Sequence, residues 1–339
     1  MKYSFIVPVY NRPEEVDELL ESLCSQTLKD FEVVIVEDGS KNPCKDVCDK
    51  YADILDLHYY YKENSGPGQS RNYGVERAHG DYVIILDSDV VVPADFMAAV
   101  DSSISHQPSA IVAWGGPDAA HPSFTPVQKA ISYSMTSFFT TGGIRGGKAK
   151  LDKFYPRSFN MGIRRDVYQQ LGGFSKMRFG EDIDFSYRIV EAGYQPRLFP
   201  DAWVWHKRRT DFRKFFRQVY NSGIARINLE KRHPGTLKLV HLLPMVFTVG
   251  VIGLVACWLL ALCLWPCVSW LFLLPLLLYC LIILIDSTCR NKSLWVGLLS
   301  IPAAFVQLMG YGLGFIESWW KRCVLKQDEF TAFEKTFYK

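Results

Sequence analysis

An α/β domain built on a mostly parallel sheet, followed by C-terminal transmembrane helices, is the fold class this 339-residue chain predicts. Three observations predict it. Strand-like and helix-like segments alternate through the first hundred residues, the pattern of parallel strands covered on both faces. An apolar, β-branched run from Tyr82 to Leu86 stops at two carboxylates, Asp87 and Asp89, as a buried strand does where it reaches a sheet edge. The 47 residues between Lys238 and Asp286 contain no Asp, Glu, Lys or Arg.

Taken in order, strands are expected near 3–9, 31–36, 57–61 and 82–86. Helices are expected near 13–26, 43–54, 68–78 and 93–105, with Pro93 at a first-turn position of the last. Ala110 to Trp114 reads as a further strand ending in Gly115-Gly116. Residues 117–157 show little periodicity and read as a loop over the site. Ser158 to Ile163 is strand-like, and Gly172-Gly173-Phe174 leads into a helix opened by Gly180-Glu181-Asp182-Ile183-Asp184.

Charge divides the chain. Residues 1–205 carry 21 Lys+Arg against 28 Asp+Glu, and residues 206–339 carry 17 against 7. Lys207 to Arg232 holds nine basic residues and two acidic ones. Nucleic acid is one partner for such a run, but apolar sequence follows at once, which favours a membrane face and no nucleic acid. A single helix of 47 residues would run about 70 Å against a hydrocarbon core of about 30 Å, so two spans are expected, near 239–264 and 267–285, reversing at Trp265-Pro266. The segment 294–316 is long enough for a third crossing, but Pro302, Gln307, Gly310, Gly312 and Gly314 weaken it, and an interfacial position stays open. The expected divisions are 1–205 as the catalytic domain, 206–236 as a basic amphipathic interfacial segment, 237–316 as the membrane region and 317–339 as a tail. The basic run keeps the large domain cytoplasmic by the positive-inside bias, in a multi-pass protein of the cell membrane. Phe212, Phe215, Phe216, Val219 and Tyr220 give 211–229 an apolar face suited to an anionic leaflet. The start, MKYSFIVPVYN, reads as a first strand and shows no cleavable signal. The nine cysteines form no metal pattern and fit reduced structural thiols.

Several side chains sit where chemistry is done. Open α/β sheets bind ligands at the carboxyl ends of their strands. Asp87 and Asp89 there can hold a hard divalent cation against phosphates. Asp38 follows a strand and precedes Gly39-Ser40, so it is either a turn aspartate or an acceptor for a nucleobase or ribose. Asn64 to Asn72 is a glycine loop entering a helix, without a Walker or G-x-G-x-x-G pattern. Arg71 in it could pair with a diphosphate or form a surface salt bridge. Glu181 and Asp182 open a helix, where acids are favoured by the dipole in any case, and a carboxylate there could also take a proton from an attacking hydroxyl.

Val7-Pro8-Val9-Tyr10-Asn11, Val36-Glu37-Asp38-Gly39-Ser40, Asp87-Ser88-Asp89 and Glu181-Asp182 occur in this order. Over roughly the first 205 residues the set resembles the inverting family 2 glycosyltransferases, membrane-anchored type, which have the GT-A fold and use nucleotide-diphosphate sugars. The resemblance implies that Pro8 shapes the nucleotide pocket, that Asp38 binds the base (typically uracil), and that Arg71, Asp87 and Asn160 contact the donor. It implies Asp89, with Asp87 and His206, as ligands to Mg²⁺ or Mn²⁺, Asp182 as general base, and Glu181 as the residue that orients the acceptor. The chain lacks the Q-x-x-R-W motif of processive synthases. The expected activity is transfer of one sugar to a hydroxyl of a lipid-linked saccharide in cell-envelope or extracellular polysaccharide assembly. Transfer to a polyprenyl phosphate and a non-catalytic nucleotide-sugar-binding membrane scaffold are the alternatives.

Overall fold

The computed structural model describes residues 2–106, 111–121, 123–142, 154–207 and 210–329. In chain order its elements are β1 (Tyr3–Val9), α1 (Pro13–Cys24), β2 (Phe31–Asp38), α2 (Lys45–Tyr51), β3 (Asp56–Lys62), α3 (Pro67–Val75), β4 (Tyr82–Leu86), β5 (Val90–Val91), α4 (Phe96–Ser105), β6 (Ala113–Gly115), β7 (Asp118–Ala119), α5 (Pro126–Thr136), α6 (Phe138–Thr141), β8 (Asn160–Arg164), α7 (Arg165–Gln170), α8 (Glu181–Glu191), β9 (Arg197–Leu198), β10 (Val204–His206), α9 (Phe212–Arg232), α10 (Leu243–Leu264), α11 (Leu274–Asn291) and α12 (Leu294–Trp319). The described residues form two compact units, one of those up to 121 with 154–207, the other of 123–142 with 210–329.

The first unit is built on a seven-stranded sheet of order β3-β2-β1-β4-β8-β6-β9. β1 lies between β2 and β4 and is parallel to both. β2 is parallel to β3, while β8 runs antiparallel to β4 and β6. β1 and β2 are near-continuous apolar runs because helices cover both sheet faces. Phe5, Leu19, Leu20, Phe96 and Trp114 fill one face, and Ile6, Val34, Val75, Phe174 and Phe185 the other. In register, Pro8 lies beside Val36 and Asp38 beside Lys62, so β1, β2 and β3 finish at one edge. α4 opens at Phe96, not at Pro93: Asp95 takes the N-cap position, and the Pro93 carbonyl instead accepts from Phe96 N at 3.0 Å.

In the second unit α12 is the helix on which the others pack. Gly312 and Gly314, which weakened this segment as a third crossing, are where neighbouring helices come close. A Cβ at Gly312 would strike Thr248 and the Pro244 carbonyl of α10, and one at Gly314 the Tyr220 carbonyl of α9. Small residues at such contacts are how apolar helices approach one another. Phe215 and Val219 of α9 are buried with Ile131 and Met135 of α5, so part of the apolar face suited to a leaflet is covered by protein, and Phe216 stays exposed. α5 lies inside 117–157, and its end is fixed by a Thr125–Gln128 capping box. The part of that segment from 143 to 153 lies outside the described residues.

Three helices, Leu239–Leu264, Ser269–Asn291 and Leu294–Val324, are long and apolar enough to cross a membrane. The return after α10 falls at Trp265, followed by a 3₁₀ turn at Ser269–Leu273. Arg322 Nε donates to Asn228 Oδ1 at 3.0 Å, and its carbonyl accepts from Lys231 Nζ at 2.6 Å. The charged end of α12 is therefore tied to the C-terminal half of α9, just before the first apolar helix. Gly314→Leu is expected to destabilise the solubilised protein by about 1–3 kcal/mol through overpacking. Gly253→Leu, where a Cβ meets nothing within 4 Å, is expected to stay within about 0.5 kcal/mol; chemical unfolding in one detergent compares the two.

Candidate active site

β4 ends at Leu86, and the next three residues, Asp87-Ser88-Asp89, turn the chain into β5. β10 pairs antiparallel with β5, with His206 opposite Val90, which brings the imidazole back over the turn. His206 Nε2 lies 3.3 Å from Asp89 Oδ1, and its Nδ1 lies 3.9 Å from Asp118 Oδ2. The ring stacks on Phe159 at 5.0 Å between centroids. Ligand-type atoms of Asp87, Asp89 and His206 all fall within 4.8 Å of one another. Two carboxylates and one imidazole are a donor set that a divalent cation such as Mn²⁺ accepts, so the residues fit the metal. Arg12 Nη1 also donates to Asp89 Oδ2 at 2.7 Å. Burial opposes the Arg12 charge, but Asp89 outweighs it and raises the guanidinium above its ordinary value.

A second guanidinium joins this turn to the Glu181-Asp182 pair. Arg71 enters the site from the first turns of α3. Its Nη2 donates to Asp87 Oδ1 at 2.8 Å and its Nη1 to Glu181 Oε1 at 3.0 Å. Its plane lies 5.1 Å from the Phe174 ring centroid. Asp182, the second residue of α8, accepts from Arg157 Nε at 2.6 Å and from Ile183 N at 2.9 Å. The two neighbours are pushed apart. Burial and the adjacent Asp182 charge raise the Glu181 carboxyl against the pull of Arg71. Burial pushes Asp182 up as well, but Arg157 outweighs it and the carboxyl sits below its ordinary value.

Pro8, Val9, Tyr10, Asp38 and Pro67 line a small pocket at the strand ends. The three side chains expected to contact the donor, Asp38, Arg71 and Asn160, are all engaged inside the protein. Asp38 Oδ1 accepts from Lys62 Nζ at 2.6 Å and Ser65 N at 2.8 Å. Its Oδ2 accepts from Gly66 N at 2.8 Å and Asn64 Nδ2 at 3.2 Å. That fills the acceptor capacity of a carboxylate, so Asp38 fastens the loop before α3 and binds a base only by exchanging a partner. Arg71 is 3% exposed and bridges two carboxylates. Asn160 is 1% exposed and donates to the Ala202 carbonyl at 2.8 Å, while its Oδ1 is buried without a hydrogen-bond partner.

Residues 4–172 match the Glycosyl transferase family 2 domain. The chain carries a family 2 glycosyltransferase domain. A Rickettsia felis protein named uncharacterized glycosyltransferase is 40% identical over 88 residues, 26% of this chain and 15% of that protein. The pre-mycofactocin glycosyltransferase of Mycobacterium tuberculosis is 27% identical over 250 residues, 68% of this chain and 47% of that protein. The chain thus spans less than half the length of each of these relatives. The mannosyltransferase PcManGT from Pyrobaculum calidifontis, solved with GDP-Man and Mn²⁺, shares the fold with a TM-score of 0.62 at 18% identity, over 95% of this chain and 88% of that one. The GT-A architecture implied by the motifs is the architecture found. The family match ends before Glu181-Asp182, which are tied to the matched region of the family 2 domain through Arg71.

Arg12, Lys62 and Arg157 are the side chains of the family 2 domain that motif reading missed. Each is a lone base beside a recognised motif: Arg12 follows Asn11, Lys62 ends the strand paired with Asp38, and Arg157 precedes Ser158-Phe159-Asn160. Adjacency was the signal, but partner choice is decided by the fold. Arg71→Ala is expected to destabilise by about 2–3 kcal/mol, less than the roughly 3–5 of a fully buried pair, because the Asp87 side chain is 30% exposed. Adding Glu181→Gln removes one of the uncompensated charges and should recover part of that loss in a double-mutant cycle; a strictly additive cycle would separate the two motifs.

Proposed function

We propose that this protein is a membrane-anchored, metal-dependent inverting glycosyltransferase. It moves one sugar from a nucleotide-diphosphate sugar, a UDP-sugar by preference, to a hydroxyl of a lipid-linked saccharide in cell-envelope or extracellular polysaccharide assembly. The observation that carries this reading is the single Arg71 guanidinium bonded both to the Asp87 turn and to the Glu181-Asp182 pair, which makes the phosphate-side and acceptor-side carboxylates parts of one site. Asp87, Asp89 and His206 would hold the cation, whose chemistry is to neutralise charge building on the departing nucleoside diphosphate. That PcManGT was solved with GDP-Man and Mn²⁺ supports a donor of this class.

The protein's own groups divide the remaining work. Inversion requires the acceptor hydroxyl to attack opposite the leaving diphosphate while losing its proton. Asp182, kept ionised by Arg157, takes that proton, and general-base help of this kind is worth about 10²–10⁴-fold. Glu181, anchored by Arg71, orients the acceptor. Pro8 and the Asp38 loop shape the base pocket, and Asn160 fixes the Ala202 segment behind the donor. Arg12 holds Asp89 until a cation displaces it. An acceptor that is already an anion, such as polyprenyl phosphate, needs no base, so the paired acids favour a hydroxyl acceptor.

The basic face of α9, with Arg213, Lys214 and Arg217 around a surface hollow, lies on an anionic cytoplasmic leaflet. An even number of crossings, with 294–316 in the interface, would keep Lys321 and Arg322 on that same side, in keeping with the positive-inside bias, and the Arg322 contacts to Asn228 and Lys231 support it.

Asp89→Ala is expected to abolish cation-dependent release of nucleoside diphosphate while leaving expression and membrane insertion intact. Arg12→Ala should tighten cation binding several-fold, by titration calorimetry, through loss of the competing charge. Unaltered, chelator-resistant turnover in Asp89→Ala would refute the metal assignment.

The acid limb of kcat/KM tests the base. A base with a depressed pKa stays active as pH falls until that pKa is crossed, so the Asp182 limb should lie below about 3.9, the ordinary aspartate value. Arg157→Met removes the main opposition to burial, leaving Arg71 and the Ile183 N–H, and should shift the limb to higher pH. A wild-type limb above the ordinary glutamate value of about 4.3 would assign the base to Glu181. Asp182→Asn that keeps full turnover with polyprenyl phosphate would favour that acceptor.

A further inference from the structure

At the opposite ends of the same strands lies a second cluster of metal-ligating groups. Glu32 is the second residue of β2, paired in register with Ser4 on β1 and Asp56 on β3. It is fully buried. Its Oε1 accepts from Ser4 Oγ at 2.6 Å, His79 N at 2.6 Å and Gly80 N at 3.3 Å. That leaves Oε2 facing two imidazoles, His79 Nδ1 at 3.0 Å and His58 Nε2 at 3.4 Å. Asp56 Oδ1 lies 3.1 Å from the same His58 nitrogen. The rings stand 6.1 Å apart and are inclined at 55°. The ligand-type atoms of Glu32, His58 and His79 lie within 4.8 Å of one another.

We infer that Glu32, His58 and His79 form a binding site for a transition-metal dication of the zinc class, distinct from the transfer site, with Asp56 beside His58 at its edge. The separations are the first reason. Ligand atoms of a tetrahedral ion at about 2.0–2.1 Å lie about 3.3 Å from one another, and Glu32 Oε2 lies 3.0 Å from His79 Nδ1 and 3.4 Å from His58 Nε2. Chemistry is the second. Two imidazoles with carboxylates suit Zn²⁺, Co²⁺ or Ni²⁺ better than Mg²⁺, which prefers oxygen. The third is preorganisation: three donors on Oε1 fix the Glu32 carboxylate so that Oε2 points at the imidazoles, as outer hydrogen bonds do for metal ligands. The histidine side chains, 36% and 71% exposed, leave a path for the ion.

Such an ion would fasten β3, the edge strand, to β2 and to the turn that enters β4. The six residue steps from Glu32 to Asp38 span roughly 20 Å of strand, so the ion takes no part in the transfer chemistry and its effect is on stability.

The test uses the untagged full-length protein in detergent, stripped with chelator and held in excess Mg²⁺ to occupy the oxygen-rich site. Zn²⁺ is titrated calorimetrically, and Co²⁺ by the visible absorption of a tetrahedral centre. Wild type and His206→Ala should each bind one equivalent of Zn²⁺ at this site and gain thermal stability from it. His79→Ala, and His58→Ala with His79→Ala, should weaken that binding by at least about tenfold and lose the zinc-dependent gain. Because both imidazoles are at the surface, these variants should remain folded, which the far-ultraviolet spectrum checks. The inference is overturned if the histidine variants bind Zn²⁺ as wild type does. It is equally overturned if wild type binds no stoichiometric ion beyond one lost in His206→Ala, or if the variants lose stability equally with and without zinc.

Discussion

The site depends on one guanidinium shared between two carboxylates. Arg71 is 3% exposed and could not stay charged there alone, since an uncompensated buried charge loses several kcal/mol of hydration. Asp87 from the end of β4 and Glu181 from the start of α8 supply the compensation. Those acids are themselves crowded by Asp89 and Asp182, and Arg12 and Arg157 relieve that crowding. Seven acids and bases from distant parts of the chain therefore determine one another's positions.

Arranging charge this way suits phosphate chemistry. Each arginine stands where a cation or a substrate phosphate can change the balance, so ligand binding can redistribute protein contacts without creating unpaired buried charge. The opposed shifts of Glu181 and Asp182 follow from the same arrangement. The acid bonded to Arg157 is held ionised, and the one burdened by its neighbour's charge is raised. Adjacent carboxylates driven apart in this way can take different roles at one pH.

Much of this was legible in the sequence where polar residues interrupt an apolar run. Asp87 and Asp89 stand out because β4 is uniformly apolar up to Leu86, β1 and β2 are readable from their apolar, β-branched runs, and β3 from its tyrosines. What was not legible is partner choice between distant residues. Asp38 looked like an acceptor open to a ligand because nothing near it in sequence shows that Lys62, Asn64, Ser65 and Gly66 return to fill its lone pairs. Arg157 sits in a segment without periodicity, and only the fold delivers it to Asp182. The packing role of the α12 glycines was not legible for a different reason. Intrinsic propensity counts Gly as a helix weakener, whereas here the absent side chains let α9 and α10 approach, and tertiary packing outweighs local preference.

Anomalous diffraction from the protein soaked with Mn²⁺ and nucleoside diphosphate tests the central claim most directly. A single ion bounded by Asp87, Asp89 and His206, with the distal phosphate directed at the space before Glu181 and Asp182, is the predicted result. An ion or diphosphate ordered in a separate cleft, with the Arg71 bridge undisturbed and both acid pairs remote from the nucleotide, would contradict it.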